Sequence, residues 1–230
     1  MEHRISHGPT FTTVEFVFSA GEALVMQPGS MIGMSTGFEL EAKLGSQMKG
    51  GNAMGRSLRS MVSGENFFAA VYRAKRDGER LVMAPNQLGE ISVLAVVPDQ
   101  AILIASGCFL ACTTEVELEA KYVGARGFMS TRGLFMMRTT GKGQIFIASH
   151  GVAVEQRLAV GERFVLDNHH LVAHSDGLLC ETVKVASTVR HSFLSGEGIV
   201  NRYTGPGWLM YQTRRSPGLG LIRGVFNLLT

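Results

Sequence analysis

The chain has 230 residues, of which 45% are hydrophobic and 18% charged, so it can bury a core of its own. A net charge of +3 is too small to indicate a nucleic-acid partner, because such binding needs basic residues clustered on one face. Three cysteines without regular spacing exclude a disulfide scaffold, and no stretch approaches the roughly 20 apolar residues of a membrane span. We therefore expect a cytoplasmic protein with reduced thiols and no transmembrane segment.

The first strong pattern is the stretch Gly21–Lys43, which follows a polar lead-in over residues 1–10 and a predicted strand over Phe11–Phe18. Proline presets φ and glycine supplies a positive φ, so Pro28-Gly29 predicts a turn between two short apolar strands. The end of the stretch alternates apolar and charged residues, which is the period of a half-buried β-strand.

This pattern recurs further along the chain. An offset of 78 aligns it with Asp99–Tyr122, and an offset of 140 aligns it with Gly161–Asp176. A second element, Arg138–Ser149, recurs as Arg202–Thr213 at an offset of 64. Chance likeness between β-rich segments is the alternative, but order and spacing both recur, which favours true internal repetition.

The rest of the chain is mostly short apolar segments between glycine turns, which predicts an all-β protein. The further predicted strands are Phe67–Ala74, Arg80–Pro85, Leu88–Val97, Leu134–Arg138, Gly151–Leu158, Leu179–Val189 and Trp208–Gln212. The repeats divide the chain into β-units over 1–88, 89–149 and 150–215.

Two amphipathic pieces stand apart from the repeats. The insertion Leu44–Gly64, within the first unit, and the tail over residues 216–230 each predict a short helix with one apolar face. These helices pack on the protein itself or on a partner. The alternative is peripheral contact with a membrane through residues 53–62 or 219–229.

Several spaced motifs resemble the altered-inheritance-of-mitochondria protein twenty-four family, from about Phe16 to Arg214. They are GRSLRSMVSGENFF, GEISVLAV, QAILIASGCFLA, RTTGKGQIFIAS and NRYTGPGWLMYQTR. The resemblance implies three tandem double-stranded β-helix-like units in an approximate three-fold arrangement, each similar to the tryptophan RNA-binding attenuation protein. Fungal members are linked to mitochondrial inner-membrane organisation, but the chain shows no mitochondrial presequence, so we do not transfer that location. The resemblance supplies no catalytic residues.

The most tempting candidate site is the histidine cluster His169, His170 and His174. If the stretch is a strand, His170 and His174 share a face roughly 13 Å apart, too far for one metal with bonds of about 2.1 Å. His169 points to the opposite face. A bulge or a ligand from another strand could restore a metal site, but we expect surface or partly buried histidines.

Other candidates fail on similar grounds. Cys108 and Cys112 have metal-ligand spacing only on a helix, and Cys180 lacks a nucleophile signature, so buried, inert thiols are expected. The GxG spacing at Gly196 and Gly198 lacks the strand–loop–helix context of a phosphate site.

Two further groups of residues are explained by ordinary strands. An RNA-binding groove could combine basic and aromatic side chains, but the alternation around Trp208 fits a plain strand. This group comprises Arg202, Tyr203, Trp208, Tyr211, Arg214 and Arg215. The repeated carboxylates Glu39, Glu41, Glu117 and Glu119 indicate solvated strand faces rather than one glycosidase-type acid pair.

These residues identify no catalytic, cofactor or metal site. The sequence favours a non-enzymatic scaffold or assembly protein that self-associates or binds a protein partner. The alternative is small-molecule or RNA binding in grooves between the repeats.

Overall fold

The computed structural model describes residues 1–44, 68–105, 107–122, 135–184 and 199–215. Within these ranges the chain forms strands β1 to β19 and one 3-10 turn, Asn168–His170, which confirms the predicted all-β class. The two predicted short helices fall on residues outside the described ranges, except that Leu44 is the last residue of a strand.

The strands are short and follow one another closely along the chain. The first seven are β1 Glu2–Ser6, β2 Thr13–Phe18, β3 Ala23–Met26, β4 Met31–Met34, β5 Phe38–Leu44, β6 Phe68–Ala74 and β7 Glu79–Met83. The next six are β8 Ile91–Val96, β9 Ile102–Ile104, β10 Phe109–Thr113, β11 Val116–Tyr122, β12 Phe135–Gly141 and β13 Gly143–Ala148. The last six are β14 Ala153–Leu158, β15 Arg163–Asp167, β16 Leu171–Ser175, β17 Leu179–Lys184, β18 Ile199–Thr204 and β19 Gly207–Gln212.

Strand starts follow the offsets found in the sequence. Strands β2, β8 and β14 begin at residues 13, 91 and 153, and strands β4, β10 and β16 begin at 31, 109 and 171. We therefore treat strands at these offsets as counterparts. The approximate three-fold arrangement of the units stays a prediction.

The strands pair into four sheets whose named ladders are all antiparallel. The two six-stranded sheets have the orders β5-β6-β3-β10-β13-β8 and β11-β12-β9-β16-β19-β14. The other two have the orders β1-β2-β7-β4 and β15-β18-β17. Each six-stranded sheet combines three strands from one predicted unit with three from the next.

Apolar alternation explains the core. In β2, Val14, Phe16 and Phe18 are buried on one side, as the alternation predicts. The Phe16 ring packs edge-on against Phe146 of β13 with 4.9 Å between ring centroids, so side chains from two sheets share one core cluster. A second cluster lies among β9, β10, β16 and β19.

The chain makes a close backbone contact at Gly89. Isolated parallel bridges link Gly89 to Phe11 and to Gly151, and these residues correspond under the offsets of 78 and 140. A Cβ at Gly89 would lie 1.9 Å from the Ser149 carbonyl oxygen, so only glycine fits without backbone movement.

The prediction that residues 1–10 form only a polar lead-in was wrong. Residues Glu2–Ser6 form β1, which pairs antiparallel with β2 from Glu2 opposite Val17 to Ser6 opposite Thr13. The strand is mostly exposed and lacks an apolar face, so its pairing rather than its own pattern fixes its conformation.

Candidate functional site

The predicted histidine cluster spans a turn and a strand. His169 and His170 lie in the 3-10 turn, so the expectation of a strand was wrong for them, and only His174 lies in β16. The turn begins where the Asp167 carboxylate accepts a hydrogen bond of 3.0 Å from the His169 amide. His170 Nδ1 lies 2.7 Å from the Gln212 carbonyl oxygen.

His174 is buried, contrary to the expected surface or partly buried position. Its Nδ1 lies 2.8 Å from the Ser175 carbonyl oxygen, and its ring is 5.6 Å from the Tyr203 ring. Burial lowers the pKa of His174 below its ordinary value, so the imidazole is neutral at pH 7. Across the described ranges, no three His, Cys, Asp or Glu side chains lie close enough together to hold one metal ion.

The cysteines divide into two buried thiols and one exposed residue. Cys108 and Cys112 are buried, and burial raises the pKa of Cys112 to about 12, helped by the nearby Glu115 charge. Cys112 lies in a strand, where four-residue spacing does not bring two thiols together. The expectation that Cys180 is buried was wrong, since it is exposed on β17.

The basic and aromatic residues do not form a shared groove. Arg202 pairs with Glu181 at 2.8 Å, while the adjacent Tyr203 is fully buried and cannot stack on a base. Tyr211 instead stacks on Phe164 at 5.9 Å. Arg214 and Arg215 are exposed beyond β19, and Gly196 and Gly198 lie outside the described residues.

The repeated carboxylates lie on strands β5 and β11, as predicted. Glu39, Glu41 and Glu117 are exposed and Glu119 is half-buried. The alternation therefore places these carboxylates toward solvent, away from the buried Leu118.

Strand β4 is the feature that local pattern reading missed. Its residues Met31, Ile32 and Met34 are exposed, whereas the corresponding first four residues of β10 and β16 are all buried. Strand β10 is paired on both sides, by β13 and β3, and β16 is paired by β19 and β9. Among the described strands, β4 ends its sheet and pairs only with β7.

Strand β15 shows the complementary feature. Its counterparts β3 and β9 lie inside six-stranded sheets, but β15 ends its sheet and, within the described ranges, pairs only with β18. Val165 of β15 is exposed, whereas its counterparts Val25 and Leu103 are buried. No described strand pairs with one side of Met31–Met34 or with one side of Arg163–Asp167, and we call these two sides the β4 edge and the β15 edge.

The chemistry of the β4 edge suits strand addition. A sheet edge offers unpaired backbone N–H and C=O groups, and proteins usually protect such edges with lysine, proline or other charges. The sequence of β4 is Met-Ile-Gly-Met, with none of these residues. This edge can therefore accept a further strand through backbone hydrogen bonds and apolar side-chain contacts.

A cavity of about 630 Å³ lies between β8, β9, β14 and the turn before β19. Its lining includes Arg138, Arg157, Glu155, Asp176 and Trp208. Asp176 accepts a hydrogen bond from Arg138 Nε at 2.8 Å. Arg157 Nε donates to Glu155 at 2.7 Å.

The Lys121 ammonium completes the charged cluster beside the cavity. It lies 2.5 Å from Asp176 and, as the largest single cause, lowers the pKa of that carboxyl. The cavity wall thus carries paired charges of both signs next to an aromatic residue.

The family model for "Mitochondrial biogenesis AIM24" matches residues 3–214. The chain belongs to the AIM24 family. An uncharacterized protein of Streptococcus pyogenes serotype M6 is 31% identical over 217 residues, covering 93% of this chain and 86% of that protein.

A crystal structure of a Streptococcus pyogenes protein is similar over almost the entire length of the chain. The TM-score is 0.73 at 27% identity, with 100% of this chain and 99% of the other covered. These findings confirm the predicted AIM24 resemblance. None of the described helical segments has the length and apolar character needed to cross a bilayer.

Proposed function

We propose that this AIM24-family protein is a non-enzymatic assembly protein that self-associates or binds another protein through the β4 and β15 edges. The observation that carries the proposal is the exposure of Met31, Ile32 and Met34 in an uncharged edge strand. Burying a side chain such as isoleucine is worth about 1.5–3 kcal/mol, so covering this edge provides a driving force for association.

The test compares lysine substitutions at two positions whose side chains have nearly the same solvent exposure. Ile32 is 61% exposed on the β4 edge, and Leu88 is 63% exposed before β8. Ile32→Lys places a charge on the edge and should weaken association by about ten-fold or more, because the lost burial corresponds to at least one power of ten in Kd. Leu88→Lys should leave association unchanged.

Sedimentation velocity across a concentration series measures this association directly. Wild-type protein should shift to larger species as its concentration rises, and the shift should be reduced in Ile32→Lys alone. A wild-type protein that sediments as a monomer throughout, even with its native cell extract added, would overturn the proposal. So would an equal loss of association in Leu88→Lys.

A second candidate function rests on the 630 Å³ cavity. Its arginines could bind an anionic group and Trp208 could contact a flat apolar group, so the ligand class would be a small aromatic carboxylate. A thermal-shift panel of such compounds tests this function, with Arg157→Ala as the variant. Arg157 is mostly exposed, so its removal should abolish a ligand-induced shift without changing the stability of the free protein.

A further inference from the structure

The chain joins successive units twice by the same strand pairing. In the first joint β3 pairs with β10, and in the second joint β9 pairs with β16. The paired residues are Met26 with Ala111 and Val25 with Cys112 in the first joint, and Ile104 with Ala173 and Leu103 with His174 in the second. These pairs correspond under the sequence offsets, so both joints have one register.

Each joint is extended by the same backbone hydrogen bond. The Gln27 amide donates to the Leu110 carbonyl oxygen at 2.9 Å in the first joint. The Ala105 amide donates to the Val172 carbonyl oxygen at 2.8 Å in the second. The two joints therefore share the strand register and also the backbone hydrogen bond next to the ladder.

The strands for a third joint exist, but the described chain does not pair them. Strand β15 is the counterpart of β3 and β9, and β4 is the counterpart of β10 and β16. Among the ladders of the described strands, none links β15 to β4. Val165, 54% exposed, and Met34 would be the pair that corresponds to Val25 with Cys112.

We propose that the β15 edge of one copy pairs antiparallel with the β4 edge of a second copy in the register of the two intrachain joints. This inference rests on the proposed self-association and names its partner and geometry. Val165 lies opposite Met34, Leu166 lies opposite Gly33, and the Asp167 amide donates to the Ile32 carbonyl oxygen. The joined sheet has the order β17-β18-β15-β4-β7-β2-β1, with the last four strands from the second copy.

A second copy is the occupant that the structure favours. The two edges already carry the register of a pairing that this chain makes with itself twice, so a second copy supplies a matching strand without a new recognition surface. Because the contact joins two different edges, an open assembly of any size still has one free β4 edge at one end and one free β15 edge at the other. Head-to-tail contacts of this type close into rings or continue as filaments.

Cysteine cross-linking tests the register, with Cys180→Ser as the background. One protein carries Val165→Cys and the other carries Met34→Cys. Residues opposite each other in an antiparallel ladder have Cα atoms about 4.5–5.5 Å apart, which suits a disulfide. After mixing and mild oxidation, we expect a covalent heterodimer and a 165–34 disulfide peptide in mass spectrometry.

The control pairs Val165→Cys with Leu88→Cys, an exposed position outside both edge strands. The edge pair should give roughly ten-fold more heterodimer, because strand pairing raises the effective concentration of the two thiols. Unchanged thermal midpoints of the variants show that they fold. Equal yields from the two pairs, with self-association intact, would overturn this inference while leaving the proposed function standing.

Two other outcomes identify a different occupant of the β4 edge. A chain carrying both cysteines that oxidises to a cross-linked monomer would show that β15 pairs with β4 of its own chain. A heterodimer that forms only after residues 216–230 are deleted would show that the tail covers the edge. Either result overturns pairing between copies. Monomeric protein at every concentration would instead remove the proposed self-association.

Discussion

Ile32 and Leu110 occupy the same position in corresponding strands, yet Ile32 is 61% exposed and Leu110 is completely buried. Both follow the start of a short apolar strand by one residue, so local sequence does not account for the difference. The difference arises because β3 lies beside β10, whereas no described strand pairs with the corresponding side of β4. Burial at this position is set by the neighbouring strand.

Gly89→Ala should destabilise the protein by about 1–3 kcal/mol, the usual cost of overpacking a tight site. The new Cβ would lie 1.9 Å from the Ser149 carbonyl oxygen and 2.7 Å from the Gly151 nitrogen, both backbone atoms. Gly177→Ala is the control, since no heavy atom lies within 4 Å of its added Cβ. Urea denaturation measures both changes, and similar midpoints for the two variants would refute the close contact at Gly89.

Asp176→Asn should lower the free energy of unfolding by about 1–2 kcal/mol, because it removes a charged acceptor from both Lys121 and Arg138. Glu181→Gln, which breaks the more exposed pair with Arg202, should cost less than about 0.5 kcal/mol. Denaturation at low and high salt distinguishes the pairs further, since the less exposed cluster is screened less. A larger cost for Glu181→Gln would contradict the assigned role of Asp176.

The buried His174 should make stability pH-dependent. Its folded pKa lies below the ordinary 6.5, so the unfolded chain takes up the proton more readily. Stability from this group is present above about pH 6.5 and is lost as pH falls from there toward the folded pKa. The denaturation midpoint of the wild type should decline between pH 7 and about pH 5, and His174→Gln should make this decline smaller. An unchanged decline would exclude His174 as its source.

Three carboxylates contribute to the pH dependence of stability in a more acidic range than His174. Interactions hold the pKa of Asp176 below 3.8 and the pKa values of Glu22 and Glu79 below 4.5. Their contributions are present above those ordinary values and are lost only as pH falls through the lower, folded pKa values. The histidine effect therefore precedes theirs on acidification.

Thiol labelling should detect one accessible cysteine of three. Cys180 is exposed, whereas Cys108 and Cys112 are buried and the Cys112 pKa is raised to about 12. Partial desolvation also raises the pKa of Cys180, so it should react more slowly than a free thiol. Cys180→Ser should abolish the first phase of the reaction with an aromatic disulfide reagent at pH 8. Three equally fast thiols in the wild type would contradict these positions.

Local pattern was sufficient for most strands and turns. The alternation in β2 and β5 and the Pro28-Gly29 turn follow from residue type alone, and Gly29 has a φ of 82°. Strand β1 was missed because its stability comes from pairing rather than from an apolar face. The 3-10 turn at Asn168–His170 interrupts a stretch that the repeat alignment predicted to be a strand.

The candidate site could not be predicted in the same way. The exposure of Met31–Met34 and the burial of His174 depend on which distant strand lies alongside, a property that local alternation does not encode. The sequence offsets do align Met31–Met34 with β10 and β16. They do not indicate that the aligned strands differ in the strands beside them.

Amide hydrogen exchange at the two edges tests the central claim most directly. If β4 and β15 pair between copies, the outward-facing amides of Met31–Met34 and Arg163–Asp167 should become protected as protein concentration rises. The amides of the doubly paired strand β10 should stay equally protected throughout. Exchange at β4 and β15 that is independent of concentration, in protein that still associates, would contradict the assignment of these edges as the association surface.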